Sequence, residues 1–64
     1  MKLDVATARV RAEFDEMPGL TLTLPQASRL FGLEPDLCVQ VVQHLIGCSF
    51  LRLTRGRVII RHEG

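Results

Sequence analysis

Two short helical segments joined by a tight turn constrain the fold of this chain more than any other feature. The stretch LPQASRLFGLEPDLCVQVVQHLIG predicts a helix over about residues 24–31, a turn at Gly32 and a helix over about residues 35–47. Glycine commonly ends a helix in the left-handed conformation, and Pro35 suits the first turn of the next helix. Such a helix pair cannot bury its own apolar faces. We therefore expect further elements to complete the core.

The start and the inner face of this helix pair are also visible in the sequence. Thr23 and Gln26 have the T-x-x-Q spacing of a capping box at the start of the first helix. Pro25 falls in its first turn, where proline is tolerated. Gly47 lies near the end of the second helix. The residues of the second helix that we expect to face inward are Cys38, Val41, Val42 and Leu45.

A longer helix and a short strand precede the pair. Apolar residues at steps of three and four predict a helix over about residues 4–17, stopped by Pro18 and Gly19. Its expected inner face comprises Leu3, Ala6, Val10, Phe14 and Met17. The alternation over about residues 20–23 then predicts a short, half-buried strand.

A hairpin over about residues 50–61 follows the pair, with apolar and basic residues alternating around Arg55-Gly56. With this dipeptide as a two-residue corner, Leu53 would face Val58, and Gly56 would supply the positive φ of the turn. The alternation then predicts two different faces. The apolar face comprises Leu51, Leu53, Val58 and Ile60. The other face comprises Arg52, Thr54, Arg57 and Ile59.

In this order of elements, residues 20–61 resemble the small winged helix-turn-helix modules of bacterial transcription regulators. The resemblance lies in Ala27-x-x-Leu30-x-Gly32-Leu33, in Pro35 and Leu45, and in Phe50-Leu51 before the hairpin. It implies one mainly helical α+β domain over residues 1–64. That domain would have three helices and a small three-stranded antiparallel sheet, in the order α1-β1-α2-α3-β2-β3.

The resemblance also implies roles in DNA binding. In the family, the second helix of the pair lies in the major groove, and the hairpin, called the wing, reaches phosphates or the minor groove. Gln40 and Gln43 would then read bases, with His44 beside them. Arg29, on the first helix of the pair, would meet the DNA backbone. The wing arginines expected on phosphates are Arg52, Arg55 and Arg57, with Arg61 as a further candidate.

Two positions depart from the family pattern. Many relatives carry Ala-Gly before the Phe-Leu pair, where this chain has Cys48-Ser49, so the end of the second helix is not fixed by the sequence. The outer face of that helix has no lysine or arginine, and Glu34 and Asp36 at its start would repel phosphate.

The charge is distributed unevenly along the chain. Residues 1–36 hold four basic and six acidic side chains, whereas residues 37–64 hold four arginines and the single acid Glu63. The positive charge is therefore concentrated in the hairpin, which favours an anionic partner at that end. Edge-strand charges that hinder aggregation are the alternative explanation of these arginines.

The short length and the apolar composition together predict association. A chain of 64 residues has little interior, yet 47% of its residues are hydrophobic. Some apolar side chains will therefore lie on the surface of the monomer, where apolar patches mark interfaces. We expect a homodimer or a larger protein partner.

The two cysteines indicate neither a disulfide framework nor a metal site. Cys38 and Cys48 are ten residues apart within or beside one helix, about 15 Å at 1.5 Å per residue, which is too far for a disulfide. His44 and Cys48 are four apart, but a closed structural zinc site needs four ligands, there is no C-x-x-C pair, and His62 lies on the distant hairpin. We expect no metal and no cofactor, and free thiols in the cytoplasm.

Enzymatic and membrane functions are not indicated either. Ser28 and Ser49 have no His-acid partners, and there is no glycine-rich phosphate loop, so we expect no catalytic residues and no enzyme. No run of about 18 apolar residues is present, so we expect no membrane span.

Two hypotheses of function remain. The first is binding of double-stranded DNA by a dimer, in transcriptional regulation. The second is a protein-interaction or dimerisation module with the same fold that does not bind DNA. The acidic start of the third helix and the expected exposure of Leu37, Val39 and Ile59 favour the second hypothesis.

Overall fold

Three helices and three strands follow one another along the chain in the predicted order, α1-β1-α2-α3-β2-β3. The computed structural model describes residues 2–62, so Met1, Glu63 and Gly64 of the predicted domain lie outside the described residues. The elements are α1 (Leu3–Glu16), β1 (Leu22–Thr23), α2 (Leu24–Phe31), α3 (Pro35–Gly47), β2 (Leu51–Leu53) and β3 (Val58–Arg61). The predicted fold class, with three helices and a three-stranded antiparallel sheet, is confirmed. The first strand is shorter than predicted.

The core lies between the three helices and the inner face of the sheet. All four residues predicted to face inward on α3 are buried, as are Ala6, Val10 and Phe14 of α1. The residues that complete it from α2, the turn and the sheet are Ala27, Phe31, Leu33, Leu51 and Ile59. Leu3 and Met17, predicted on the inner face of α1, are exposed. They stand at the two ends of the helix, since Leu3 is its first residue and Met17 its C-cap.

The start of α2 and the turn between α2 and α3 both have the predicted geometry. The Thr23 hydroxyl accepts from the Gln26 backbone N–H at 3.3 Å, and the Gln26 side chain accepts from the Thr23 N–H at 3.0 Å, which completes the capping box. Gly32 follows α2 with a φ of 64°. The Leu33 N–H donates to the Ser28 carbonyl at 3.0 Å, and the Leu33 side chain is buried. This turn places α3 beside α2.

The end of α3 is closed by Ser49, not by a glycine. The helix ends at Gly47, and Ser49 takes the left-handed conformation with a φ of 60°. The Ser49 N–H donates to the Ile46 carbonyl at 3.0 Å, and the Phe50 N–H donates to the Leu45 carbonyl at 2.9 Å. These two bonds form a Schellman motif with a serine in the position that glycine usually occupies.

The register of the β2–β3 hairpin differs from the prediction by one residue. Leu53 pairs with Ile59 instead of Val58. The loop has three residues, and Arg57, with a φ of 61°, takes the left-handed conformation that was predicted for Gly56. The Arg57 N–H donates to the Thr54 carbonyl, and the Thr54 N–H donates to the Val58 carbonyl, both at 2.9 Å. A three-residue loop that ends in a left-handed residue is a common hairpin connection.

The burial of Ile59 explains why the predicted register was wrong. A one-residue slip moves a strand's side chains to the other face, and Ile59 has 0% exposure in the core. The predicted register would have placed it outside. Ile59 is therefore not an exposed interaction residue, whereas Leu53 is 41% exposed. Because β3 lies in the centre of the sheet, with β1 on one side and β2 on the other, its register positions all three strands.

The base of the hairpin contacts α1 through an ion pair and cation–π interactions. The Arg61 guanidinium lies 3.2 Å from the Asp15 carboxylate. The guanidinium carbons of Arg11 and Arg61 lie 4.9 and 5.3 Å from the centre of the Phe50 ring, within the range of cation–π attraction. Within residues 2–62, no helix combines the length and the apolarity needed to cross a membrane.

Candidate nucleic-acid interface

The outer face of α3 presents the residues predicted to read bases. Gln40, Gln43 and His44 are all exposed, because the four buried residues of the helix point to the opposite side. Asp36 is exposed on the same face one turn before Gln40. α3 carries no lysine or arginine, so its own side chains offer hydrogen bonds but no permanent positive charge.

The hairpin arginines do not form one cluster. Arg55 and Arg57 are exposed in the loop at the tip. Arg52 is exposed on the outer face of the sheet, where it pairs in register with Ile60 and lines a hollow with the segment 18–21. Arg61 faces α1 and is half-buried beside Asp15. Of the arginines predicted to contact phosphate, Arg55 and Arg57 therefore lie together at the tip, and Arg52 lies away from them.

The start of α2 connects the hairpin tip with α3. Arg57 lines a hollow with Thr23, Leu24 and Pro25. Leu24 and Pro25 also line a groove on the α3 side, whose far wall includes Val39. The hairpin tip, the start of α2 and one edge of the exposed α3 face are therefore neighbours on one surface. Arg29, one turn after Pro25 on α2, is exposed.

The electrostatics of this surface are divided between its two ends. Residues 37–62 contain no aspartate or glutamate, so no acid of this segment neutralises the hairpin tip. Within the described part of the chain, Arg61–Asp15 is the one side-chain ion pair, which leaves the guanidinium groups of Arg55 and Arg57 to solvent. At the other end, Glu34 and Asp36 are exposed at the start of α3. An anion would therefore be attracted to the tip and repelled from the start of α3.

The groove between α2 and α3 is apolar. It has a volume of about 290 Å³ and is lined by Leu24, Pro25, Ser28, Pro35, Cys38 and Val39. Val39 is exposed, as predicted, whereas Leu37 is only half-buried. Sequence reasoning did not predict this groove, because its walls come from two helices whose packing against each other is a property of the folded chain.

The two thiols have different surroundings, and neither is in a disulfide. Cys38 is buried in the core, and this burial raises the pKa of its thiol. Cys48 is exposed at the end of α3, with its Sγ 3.8 Å from Nε2 of His44. Among residues 2–62, no group of three or more potential metal ligands is found.

Sequence reasoning found the exposed residues of this surface but missed how they are grouped. It placed Arg52 with Arg55 and Arg57 as phosphate contacts and kept Arg61 as a further candidate, although Arg61 is paired with Asp15 and Arg52 lies away from the tip. This grouping depends on distances between segments that are far apart in the sequence. Periodicity within one segment does not predict those distances.

Comparison with known proteins adds no assignment to this surface. The chain matches no protein-family model, and no match was found among curated proteins or among solved structures.

Proposed function

We propose that this protein binds double-stranded DNA as a winged helix-turn-helix domain. The hairpin tip would contact phosphates, and α3 would lie in the major groove. The observation that carries the proposal is the position of Arg55 and Arg57: both are exposed at the tip, and Arg57 adjoins the start of α2 beside the α3 groove. Arginine suits phosphate because its planar guanidinium donates two parallel hydrogen bonds.

The other residues of the surface have secondary roles in this proposal. Gln40 and Gln43 would donate to and accept from base edges, as glutamine does with adenine, and His44 would border them. Arg29 would meet the backbone beside α2, and Arg52 would contact a phosphate only where DNA passes the outer face of the sheet. The proposal includes a role in transcriptional regulation in the cytoplasm. It does not include a catalytic activity.

Association with a second copy also belongs to the proposal. The apolar side chains Leu3, Val5 and Met17 of α1 and its C-cap are exposed, and such surface is typical of subunit interfaces. Light scattering at micromolar concentration should give the mass of a dimer, and a monomer up to millimolar concentration would contradict this part alone.

The test is a fluorescence-anisotropy titration of a labelled duplex of mixed sequence at low salt. We expect binding by the parent protein. Arg55→Ala with Arg57→Ala should weaken it at least about tenfold, since a hydrogen bond to a charged group contributes about 1.5–3 kcal/mol. Lys2→Ala with Arg9→Ala removes the same charge from exposed positions of the N-terminal region and serves as the matched control. Equal weakening in both variants would show attraction by net charge alone.

A second candidate function is favoured by the apolar groove between α2 and α3. The side chains of Pro25, Pro35 and Val39 offer no hydrogen-bond donor to a phosphate group, whereas an apolar side chain of a protein partner would be buried in this groove. This candidate forecasts no duplex binding by the parent protein at low salt. In that outcome the fold stands, and the hairpin arginines protect strand edges or contact protein.

A further inference from the structure

The end of α3 presents an imidazole and a thiol at the spacing of two metal ligands. His44 and Cys48 are one helical turn apart, both are exposed, and Nε2 of His44 lies 3.8 Å from Sγ of Cys48. Zn–N bonds of about 2.0 Å and Zn–S bonds of about 2.3 Å at a tetrahedral angle place the two ligand atoms about 3.5 Å apart. The pair therefore needs a shift of only a few tenths of an ångström to bind one zinc ion.

One chain supplies only half of a closed zinc site. A structural zinc site has four protein ligands, and no group of three or more is found in residues 2–62. Cys38 is buried and its Sγ lies 3.9 Å from the Leu24 carbonyl oxygen, so it is not available to the same ion. The missing two ligands must come from another molecule.

A second copy of the chain fits this requirement by symmetry. Two copies related by a twofold axis at the end of α3 would bring two identical pairs together, which gives a Cys₂His₂ set. The residues on either side of Cys48 are small: they are Gly47 and Ser49. A Cβ placed on Gly47 would meet no atom within 4 Å, so the space beside the pair is open to an approaching backbone.

We propose that His44 and Cys48 of two copies bind one Zn²⁺ ion and thereby join the copies into a metal-linked dimer. Each cysteine thiol loses its proton on binding, so one zinc ion displaces two protons into solvent, and no electron is transferred. The two thiolates balance the charge of the ion. This linkage goes beyond the DNA-binding proposal and does not depend on it.

The experiment uses the full reduced chain with zinc sulfate as the only metal, after removal of metal with a chelator. Sedimentation equilibrium and metal analysis should show about one zinc ion per two chains and at least a doubling of the mass of the chelated protein. Cobalt(II) substituted for zinc should give the absorption of a tetrahedral site with thiolate-to-cobalt charge transfer. A dye titration should record the two protons released.

The variants are chosen so that each ligand has a matched control. Cys48→Ser and His44→Ala should each abolish zinc-dependent association, whereas Cys38→Ala and His62→Ala should retain it, with circular dichroism confirming that all four are folded. Three results would overturn the proposal: no zinc bound by the parent, zinc bound by a chain that stays at its metal-free mass, or zinc binding unchanged in Cys48→Ser. No DNA is present, so this outcome and that of the duplex titration are independent.

Discussion

Gly32 and Ser49 occupy the same position in two copies of one helix-ending motif. Gly32 follows α2 with a φ of 64°, and Ser49 follows α3 with a φ of 60°. After each, the next residue donates its N–H to a carbonyl of the last helical turn: Leu33 to Ser28 at 3.0 Å, and Phe50 to Leu45 at 2.9 Å. The left-handed conformation is strained for serine but not for glycine.

We therefore expect reciprocal substitutions at these two positions to change stability in opposite directions. Ser49→Gly should raise the free energy of unfolding by about 0.5–1 kcal/mol, because relief of strain outweighs the extra entropy of glycine in the unfolded chain. Gly32→Ser should lower it by a similar amount. Urea denaturation measures both. A loss of stability in Ser49→Gly would mean that α3 ends differently.

These two turns show what the sequence can and cannot predict. Gly32 marks its turn because glycine is the residue that such a turn favours, so the end of α2 was predicted correctly. At the end of α3 the only glycine is Gly47, which lies inside the helix, and the residue that takes the left-handed conformation has no such signature. The burial of Cys38, Val41, Val42 and Leu45 was predicted because helical periodicity is a local property.

The hairpin itself was predicted correctly, but its register was predicted wrongly, for a different reason. Its register is set by the burial of Ile59 and by its pairing with Leu22 of β1, a segment far away in the sequence. Alternation alone fits two registers equally well, and Arg55-Gly56 favoured the wrong one. The pairing of Arg61 with Asp15 was missed for the same reason, since α1 and β3 meet only in the folded chain.

Substitutions in the loop test the observed register. Gly56 does not have a positive φ, and a Cβ placed on it would lie 3.9 Å from Thr54 Oγ1, which is an ordinary contact. Gly56→Ala should therefore change the free energy of unfolding by less than about 0.5 kcal/mol. Arg57→Gly should stabilise the protein by about 0.5–1 kcal/mol, because Arg57 holds the left-handed position. Thermal denaturation that shows a large loss for Gly56→Ala would support the two-residue turn instead.

Leu45 tests the packing of α3. Its side chain is 2% exposed in the centre of the core, so Leu45→Ala should lower the free energy of unfolding by about 2–5 kcal/mol. In a domain of this size, that loss removes much of the total stability. Gln43→Ala, on the exposed face of the same helix, is the control and should have little effect. An unchanged thermal midpoint for Leu45→Ala would contradict the orientation of α3.

The Arg61–Asp15 ion pair should contribute little to stability. The side chains are 37% and 49% exposed, and ion pairs exposed to solvent contribute about 0–1 kcal/mol because water and salt screen them. A double-mutant cycle with Asp15→Asn and Arg61→Gln measures the coupling energy. A coupling well above 1 kcal/mol would show that the contact with Phe50 and the ion pair act as one cooperative unit.

Base reading and phosphate contact should respond to different substitutions. Gln40→Ala should reduce the preference of the protein for one duplex sequence over another, because glutamine contacts base edges. It should leave the salt dependence of binding unchanged, because no charge is lost. Competition between duplexes of different sequence at one salt concentration measures the preference.

The slope of log affinity against log salt concentration decides whether the hairpin tip holds DNA. Each phosphate neutralised by the protein contributes about 0.9 to the slope. The double variant Arg55→Ala with Arg57→Ala should therefore have a slope shallower by about 2 than that of the parent, and its sequence preference should stay the same. Slopes that do not differ, or no duplex binding by the parent protein at low salt, would contradict the proposal that this protein binds DNA through its hairpin.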